Sequence, residues 1–175
     1  MGALWPSSPA LARKMVEAAR VQDADRVVEI GPGSGAFTGQ ILAALKPGAQ
    51  LLAVEKSGPL ARGVASRFPG AKVREDCATR LADVLREESF EPPQAILSGL
   101  PWAAFPQSLQ QTILTEIHRV LDTGGTFTTF AYFGPHRLPA GRRFRDLLNA
   151  FFSDVQRTSL VLANVPPAFV YVCRR

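Results

Sequence analysis

The sequence predicts an α/β fold: a seven-stranded, mostly parallel sheet with one antiparallel edge strand and with helices on both faces. From Arg26 onward, short apolar segments alternate with amphipathic ones, which is the pattern of repeated strand–helix units. Such units form parallel sheets that helices cover on both sides. The length of 175 residues and the 46% hydrophobic content fit a single domain over residues 1–175 with one sizeable core.

The predicted elements follow one another with short connections. A helix over residues 7–20 comes first, capped by Ser7 or Ser8 and with Pro9 in its first turn. Strands are predicted at residues 26–30, 49–55, 71–76, 94–100 and 125–133, and helices at 36–45, 59–68, 80–88, 108–121 and 141–151.

The end of the chain departs from this alternation. Two apolar segments, "VQRTSLVLAN" (155–164) and "AFVYVCRR" (168–175), are separated only by "VPP". Because a parallel crossover needs a longer connection, these strands are predicted to be antiparallel neighbours at one edge of the sheet.

A glycine-rich turn follows the first predicted strand, in "VVEIGPGSGAFT" (27–38). In an open parallel sheet the turn after the first strand lies at the edge where ligands bind, and glycine lets a ligand approach the backbone. The dinucleotide fingerprint is not met, since Ala36 stands at its last glycine position, and the turn contains no lysine for a P-loop. Glu29, at the mouth of the turn, repels a pyrophosphate and attracts an ammonium or sulfonium group.

Acidic residues also close the next two predicted strands. Glu55 can accept hydrogen bonds from both hydroxyls of a ribose, the role that acidic residues play in nucleotide-binding sheets. Asp76, after the third strand, can accept a hydrogen bond from an adenine amino group. Together with Glu29, these residues indicate a site for a nucleoside that carries a positive charge.

The segments "VVEIGPGSG", "AVEKS", "REDC" and "SGLPW", in this order and spacing, resemble those of class I S-adenosylmethionine-dependent methyltransferases. The resemblance covers nearly the whole chain and implies their Rossmann-like fold and S-adenosylmethionine as cofactor. Within that superfamily, "PSSPALARKM", "ILSGLPW" and "NVPPAFVYVCRR" are most similar to bacterial phospholipid N-methyltransferases. These methylate phosphatidylethanolamine toward phosphatidylcholine, so the resemblance implies a phospholipid amine as substrate.

The resemblance also implies roles for particular residues. Residues 1–24 would form an N-terminal helical segment that covers the cofactor site. The residues expected to bind the cofactor are Glu29, Gly31, Pro32, Gly33, Ser34 and Gly35 around its methionine part, Glu55 and Lys56 at the ribose, Asp76 and Cys77 at the adenine, and Ser98, Gly99 and Leu100 on the side of the reactive methyl group.

Aromatic and basic residues near the ends of the fourth and fifth strands are expected on the substrate side. Methyl transfer to an amine needs positioning more than acid or base strength, and aromatic faces attract a methylated ammonium. Trp102, Tyr132 and His136 are the candidate catalytic residues. Pro101 and Phe105 are candidates for contacting the substrate, and Arg137, Arg142 and Arg143 for binding a lipid phosphate through their guanidinium groups.

The composition limits the setting of the protein. Its net charge of +5 permits anionic partners without requiring them. The two cysteines, Cys77 and Cys173, have no metal-ligand spacing, so no metal is expected. The sequence has neither a signal peptide nor an apolar run long enough to span a bilayer, which predicts a cytoplasmic protein with peripheral contact at the inner membrane face. The oligomeric state is not predicted.

Three alternatives stay open at this point. Membrane-active relatives carry a longer N-terminal amphipathic helix, of which Leu4 and Trp5 would be a remnant, so a soluble amine or hydroxyl acceptor is the first alternative. The second is dimethylation of ribosomal RNA adenine. Those enzymes have "NLPY" where this chain has "GLPW", and Gly99 lacks the asparagine side chain; no nucleic-acid partner is therefore expected. The third is a cyclase or regulatory partner that binds the cofactor without methylating.

Overall fold

Strands and helices alternate along the chain in the predicted order. The computed structural model describes residues 7–175. The strands are β1 (Arg26–Ile30), β2 (Gln50–Glu55), β3 (Lys72–Glu75), β4 (Ala95–Ser98), β5 (Thr126–Tyr132), β6 (Asp154–Arg157) and β7 (Ala168–Arg174). The helices are α1 (Pro9–Ala18), α2 (Thr38–Ala44), α3 (Gly58–Arg67), α4 (Leu81–Glu87), α5 (Gln107–Val120) and α6 (Pro139–Phe151).

The strands form one seven-stranded sheet in the order β3-β2-β1-β4-β5-β7-β6. β1 to β5 pair in parallel, whereas β7 pairs antiparallel with both β5 and β6. The C-terminal ends of β1 to β6 therefore meet at one edge, called the carboxyl edge below. The predicted seven-stranded, mostly parallel sheet is confirmed, as is the antiparallel pairing of the last two strands.

The antiparallel strand lies one position inside the edge of the sheet and not at the edge itself. β7 is apolar and mostly buried, and it pairs with β5 along its whole length, from Ala168 to Arg174. β6 is short, polar and partly exposed, which suits an edge strand. The difference in polarity between the two strands explains which of them takes the inner position.

The sixth strand is shorter than predicted. It ends at Arg157, and the chain then forms a connection to β7 with one isolated bridge, from Val161 to Ala168. Leu160, Leu162 and Val165 are exposed in and near this connection. Thr158 and Val161 still hydrogen-bond to β7, but β7 begins at Ala168, so the residues after Val161 have no strand residue opposite them.

Two hydrophobic clusters cover the two faces of the sheet. One contains buried residues of α4, α5 and α6, and the other contains those of α1 and α2. The central strands β2 and β4 are buried almost throughout, as expected for strands covered on both faces. Of the helices within residues 7–175, none is long and apolar enough to cross a membrane.

The first helix begins at the carboxyl edge. Ser8 is its N-cap and accepts a hydrogen bond from the N–H of Leu11 at 3.2 Å, as predicted. The Ser8 N–H donates to Oδ1 of Asn164 at 2.9 Å, and Nδ2 of Asn164 donates to the carbonyl of Pro166 at 2.8 Å. α1 is thus fixed to the β6–β7 connection. Leu4 and Trp5 lie outside the described residues, and covering of the cofactor by residues 1–24 stays a prediction.

Replacing Asn164 by alanine should lower the free energy of unfolding by about 1–3 kcal/mol. The reason is that Asn164 is 3% exposed, so its two backbone partners would lose their bonds in a poorly solvated place. Urea denaturation measures the change. Asn149→Ala is the matched control, because Asn149 is exposed and makes one local bond to the carbonyl of Arg145. Equal losses for both variants would contradict a special role for Asn164.

Candidate active site

The glycine-rich turn connects β1 to α2 at the carboxyl edge. The Gly31 N–H donates to the carbonyl of Val54 at 2.9 Å, which continues the pairing of β1 with β2. The Gly35 N–H donates to the carbonyl of Pro32 at 2.8 Å and closes the turn. Pro32 is buried and Ser34 is exposed. The turn is therefore fixed by backbone bonds at both of its ends.

The three glycines of this turn are required for different reasons. A Cβ on Gly31 would lie 2.7 Å from Cδ2 of Leu100, and one on Gly35 would lie 2.5 Å from the ring of Phe68. A Cβ on Gly33 would have no atom within 4 Å. Gly31 and Gly35 thus allow the protein to pack against itself, and Gly33, with a φ of +56°, is the position that leaves open space beside the backbone.

Glu55, the last residue of β2, is held by two backbone groups. Its Oε2 accepts from the N–H of Gly33 at 3.0 Å, and its Oε1 accepts from the N–H of Ser57 at 2.9 Å. The residue is 8% exposed. Since a carboxylate oxygen can accept two hydrogen bonds, each oxygen keeps acceptor capacity, as the bidentate ribose contact requires.

Glu29 lies beneath the turn and is fully buried. Its Oε2 accepts from the Thr38 hydroxyl at 2.7 Å, whereas Oε1 has no hydrogen-bond partner among residues 7–175. Burial raises the pKa of Glu29 to about 7, the bond from Thr38 opposes this rise, and the charge of Glu55 adds to it. A cation nearby would stabilise the buried carboxylate.

Asp76 follows β3 and is already engaged by the protein. Its Oδ1 accepts from the N–H of Cys77 at 2.7 Å, and its Oδ2 accepts from Arg80 at 2.8 Å. Arg80 also bonds to Glu87. Lys56 is exposed and Cys77 is partly buried. The contacts of Lys56, Asp76 and Cys77 with the cofactor stay predictions, and an adenine amino group would share Asp76 with Arg80.

The side chains of Ser98, at the end of β4, and Trp102, in the segment after it, are both buried. Ser98 is fully buried, and its hydroxyl accepts from Nε1 of Trp102 at 3.1 Å. Trp102 is 2% exposed and stacks on Phe144, with ring centroids 5.0 Å apart. Trp102 packs in the apolar cluster beneath α6, and the contacts of Ser98 and Trp102 with a ligand stay predictions. Both stabilise the turn from inside.

The remaining residues of this turn are arranged as follows. Gly99 and Leu100 are partly buried next to Gly31, and Pro101 is exposed. Phe105 is partly buried and contacts Trp102 edge-on, with ring centroids 6.3 Å apart. Leu100 and Pro101 therefore form the part of this turn that a ligand can reach, and Phe105 belongs mainly to the core.

Tyr132, the last residue of β5, and His136, in the loop after β5, lie at the carboxyl edge. Tyr132 is partly buried beside Phe130, and burial raises its pKa, so the phenol stays neutral. Burial lowers the pKa of His136, which lies between the rings of Phe133 and Phe169. Its Nδ1 has no hydrogen-bond partner within the described part of the chain.

Basic residues line a groove of about 540 Å³ beside His136. This surface, called the arginine groove below, is lined by His136, Arg137, Arg142, Arg145 and Arg157. Arg143 is exposed on α6 but does not line it, and its contact with a lipid phosphate stays a prediction. Arg145 and Arg157 are not among the residues predicted from the sequence. The spacing of Arg142 and Arg145 on one helix face could have indicated Arg145, but Arg157 comes from β6 and gives no local signal.

The residues around the glycine turn fit S-adenosylmethionine. The unpartnered oxygen of Glu29 suits a positively charged ligand, the space beside Gly33 admits a ligand next to the backbone, and the fixed carboxylate of Glu55 suits a diol. These features do not suit a pyrophosphate, which two carboxylates would repel.

No protein-family model matches the chain. An O-methyltransferase from Bacillus cereus, solved in complex with SAH, superposes with a TM-score of 0.74 over 96% of this chain and 82% of its own, at 18% identity. An ornithine lipid N-methyltransferase from Singulisphaera acidiphila is 30% identical over 99% of this chain and 88% of its own length. The chain belongs to the class I S-adenosylmethionine-dependent methyltransferases. It is an enzyme that uses S-adenosylmethionine, as the sequence predicts.

This methyltransferase is also partly similar to enzymes that act on RNA. A ribosomal RNA small subunit methyltransferase A from a Synechococcus strain is 43% identical over 98 residues, which are 56% of this chain and 32% of that enzyme. The similarity to the lipid enzyme covers nearly all of both chains, whereas this one covers about half of one and a third of the other.

The affinity of this methyltransferase for S-adenosylmethionine should rise with pH. In the free enzyme the pKa of Glu29 is about 7, and a bound cation lowers it, so binding releases a proton. Titration calorimetry between pH 5.5 and 7.5 should therefore show Kd falling about tenfold or more.

Glu29→Gln should bind more weakly and without this pH dependence. The matched control is Glu75→Gln, since Glu75 is an exposed acid at the end of β3 and should keep the wild-type profile. The same slope in wild type and in Glu29→Gln would contradict the assignment.

Ser98→Ala should lower the free energy of unfolding by about 1–3 kcal/mol while the Kd for S-adenosylmethionine changes less than about threefold. The reason is that the buried Trp102 Nε1 loses its acceptor while the ligand edge is unaltered. Urea denaturation and calorimetry give the two values, and Ser108→Ala, at an exposed position, serves as control. Unchanged stability with a tenfold weaker Kd would instead identify the Ser98 side chain as a cofactor ligand.

Proposed function

We propose that this enzyme methylates the amine of a membrane lipid. The observation that carries the proposal is the similarity to ornithine lipid N-methyltransferase, which extends over 99% of this chain and 88% of that enzyme. A match over nearly all of both chains includes the substrate side of the domain as well as the cofactor side. The amine of an ornithine-type lipid is therefore the first substrate to test, and phosphatidylethanolamine is the second.

The acceptor amine is proposed to bind between the ends of β4 and β5. These strands are adjacent and about 5 Å apart, and β5 continues three residues beyond Thr129, the partner of Ser98 at the end of β4. Leu100 and Pro101 follow β4 next to the glycine turn, and Tyr132 closes β5. An amine there can meet a carbonyl oxygen and an aromatic face, which both suit a positive charge that develops during transfer.

The protein is proposed to catalyse the transfer mainly by positioning the amine and the cofactor, and less by acid–base chemistry. S-adenosylmethionine supplies a methyl group on a sulfonium sulfur for in-line displacement by a nucleophile. The nucleophile must be a neutral amine, because an ammonium has no free electron pair. The lowered pKa of His136 keeps its imidazole neutral near pH 7, and a neutral imidazole can accept a proton from the arriving ammonium group, which leaves the amine neutral. Tyr132 is proposed to orient the amine.

The candidate substrates share their chemistry and differ in their anionic group. An ornithine lipid and phosphatidylethanolamine each present a primary amine near a negative charge, which is a carboxylate in one and a phosphate in the other. Arg137 lies nearest in sequence to β5 and is proposed to contact this charge, with its guanidinium held 5.3 Å from the ring centroid of Phe133.

The test is product analysis by mass spectrometry. The enzyme and S-adenosylmethionine are incubated separately with ornithine lipid, phosphatidylethanolamine and free ornithine, all in the same detergent micelles. One to three added methyl groups on ornithine lipid, with less product on phosphatidylethanolamine and none on free ornithine, are expected. Methylation of free ornithine alone would replace the lipid proposal by a soluble acceptor.

The variant Glu55→Ala tests whether product formation depends on the predicted cofactor site. It should raise KM for S-adenosylmethionine at least tenfold, because it removes a charged acceptor and releases the N–H of Gly33. Glu75→Ala, one strand away and exposed, should stay near wild type. Cofactor binding without product on any amine would instead support the non-methylating alternative, and product on a ribosomal RNA fragment would support the RNA alternative.

A further inference from the structure

The arginine groove has an excess of positive charge that the protein does not neutralise. Of its arginines, Arg145 pairs with Asp146 on the surface at 2.9 Å. Arg137, Arg142 and Arg157 form no ion pair within the described residues. Arg157 lies over the ring of Phe169, with its guanidinium carbon 5.7 Å from the centroid. Clustered guanidinium groups without acidic partners favour an anionic partner.

The groove continues into an apolar surface. A second groove of about 720 Å³ shares His136, Arg137 and Arg157 with the first, and Phe133 and Leu160 also line it. Five large apolar side chains are exposed after β5 and β6, and all lie beyond the carboxyl edge. They are Phe133 (43% exposed), Leu138 (59%), Leu160 (40%), Leu162 (73%) and Val165 (80%), and they are called the apolar rim below.

The extent of the groove argues against a site for the anionic group of the substrate alone. The backbone of Arg157 lies three strand positions from β4 in the order β4-β5-β7-β6, which is about 14 Å at the usual strand spacing. Its guanidinium reaches back over Phe169, whose ring also contacts His136, so the near side of the groove is close to the methyl-transfer side. The groove presents four guanidinium groups, however, and one lipid head group has a single anionic group to pair with them. The far side of the groove therefore suits other lipids.

We propose that the arginine groove and the apolar rim together dock the enzyme on an anionic lipid bilayer, with the carboxyl edge facing the membrane. Guanidinium groups contact lipid phosphates while the rim side chains enter the interface, the combination that peripheral proteins use. The proposal rests on the proposed function for its purpose, since docking in this orientation brings the methyl-transfer site to the lipid amines. The docking itself is measurable without catalysis.

The test is binding to vesicles of phosphatidylcholine with and without phosphatidylglycerol, measured by co-sedimentation. Wild-type enzyme should bind the anionic vesicles more strongly. Arg145→Gln/Arg157→Gln should lower the partition coefficient about 25-fold, at about fivefold for each arginine near the surface. Leu162→Ser/Val165→Ser should weaken binding as well, because both side chains are largely exposed and available to the interface.

The matched control is Arg86→Gln/Arg119→Gln. Both arginines are exposed, each has a surface ion pair as Arg145 does, and they lie near the C-terminal ends of α4 and α5, on the opposite edge of the sheet. This variant loses the same charge and should bind within about twofold of wild type. Thermal unfolding of all variants confirms that they fold.

Equal losses in the two arginine variants, or no preference for anionic vesicles, would overturn the docking proposal. Binding of an RNA fragment that depends on Arg145 and Arg157, without vesicle binding, would overturn it in favour of nucleic acid.

Methylation of lipid amine in detergent micelles separates the docking proposal from the proposed function. Arg145→Gln/Arg157→Gln should keep that activity, because micelles need no docking on a bilayer. Docking without activity on any amine would sink only the proposed function, and activity without docking would sink only this inference.

Discussion

The close approach of the chain segments that leave β1 and β4 is the constraint on which the site depends. The Gly99 N–H donates to the carbonyl of Ile30 at 2.9 Å, and a Cβ on Gly99 would lie only 2.6 Å from the carbonyl oxygen of Gly31. Because the two segments are fixed against each other, Leu100 closes the space above Gly31. The open space then lies beside Gly33, between the ends of β1 and β2, where Glu55 is already oriented by backbone donors.

The buried carboxylate of Glu29 destabilises the folded enzyme when no cofactor is bound. A folded-state pKa raised from 4.5 to about 7 means that the unfolded chain binds fewer protons between these values. Stability attributable to this residue is therefore fully present below about pH 4.5 and decreases as pH rises toward 7. A hydrophobic residue would remove this destabilisation, yet it could not favour a cation. The buried carboxylate is consistent with stability given up for ligand recognition.

The order of strands and helices could be predicted because apolar periodicity is local, and the acids at the strand ends could be predicted because parallel strands end at one edge. The burial of Trp102 could not, since it depends on Phe144, which is distant in the sequence and is brought near only by the packing of α6. Arg157 joins the arginine groove for a similar reason, because β6 returns parallel to β5 at the sheet edge. Residues 158–164 resemble a strand in the sequence because an apolar pattern cannot show that β7, their only neighbour in the described part of the sheet, begins at Ala168 and leaves most of them unpaired.

On the proposed function, the distribution of apolar and basic groups suits a substrate that stays in its bilayer. S-adenosylmethionine is dissolved in water, whereas the amine of a lipid stays at the membrane interface. The two can meet only at a part of the protein surface that both can reach. A parallel sheet provides such a surface, because the same edge that holds the glycine turn also carries the loops after β5 and β6. Those loops contain Phe133, Leu138 and Leu162, exposed to solvent at a cost that contact with a bilayer would offset. The residues between those loops and the turn are then free to select the amine.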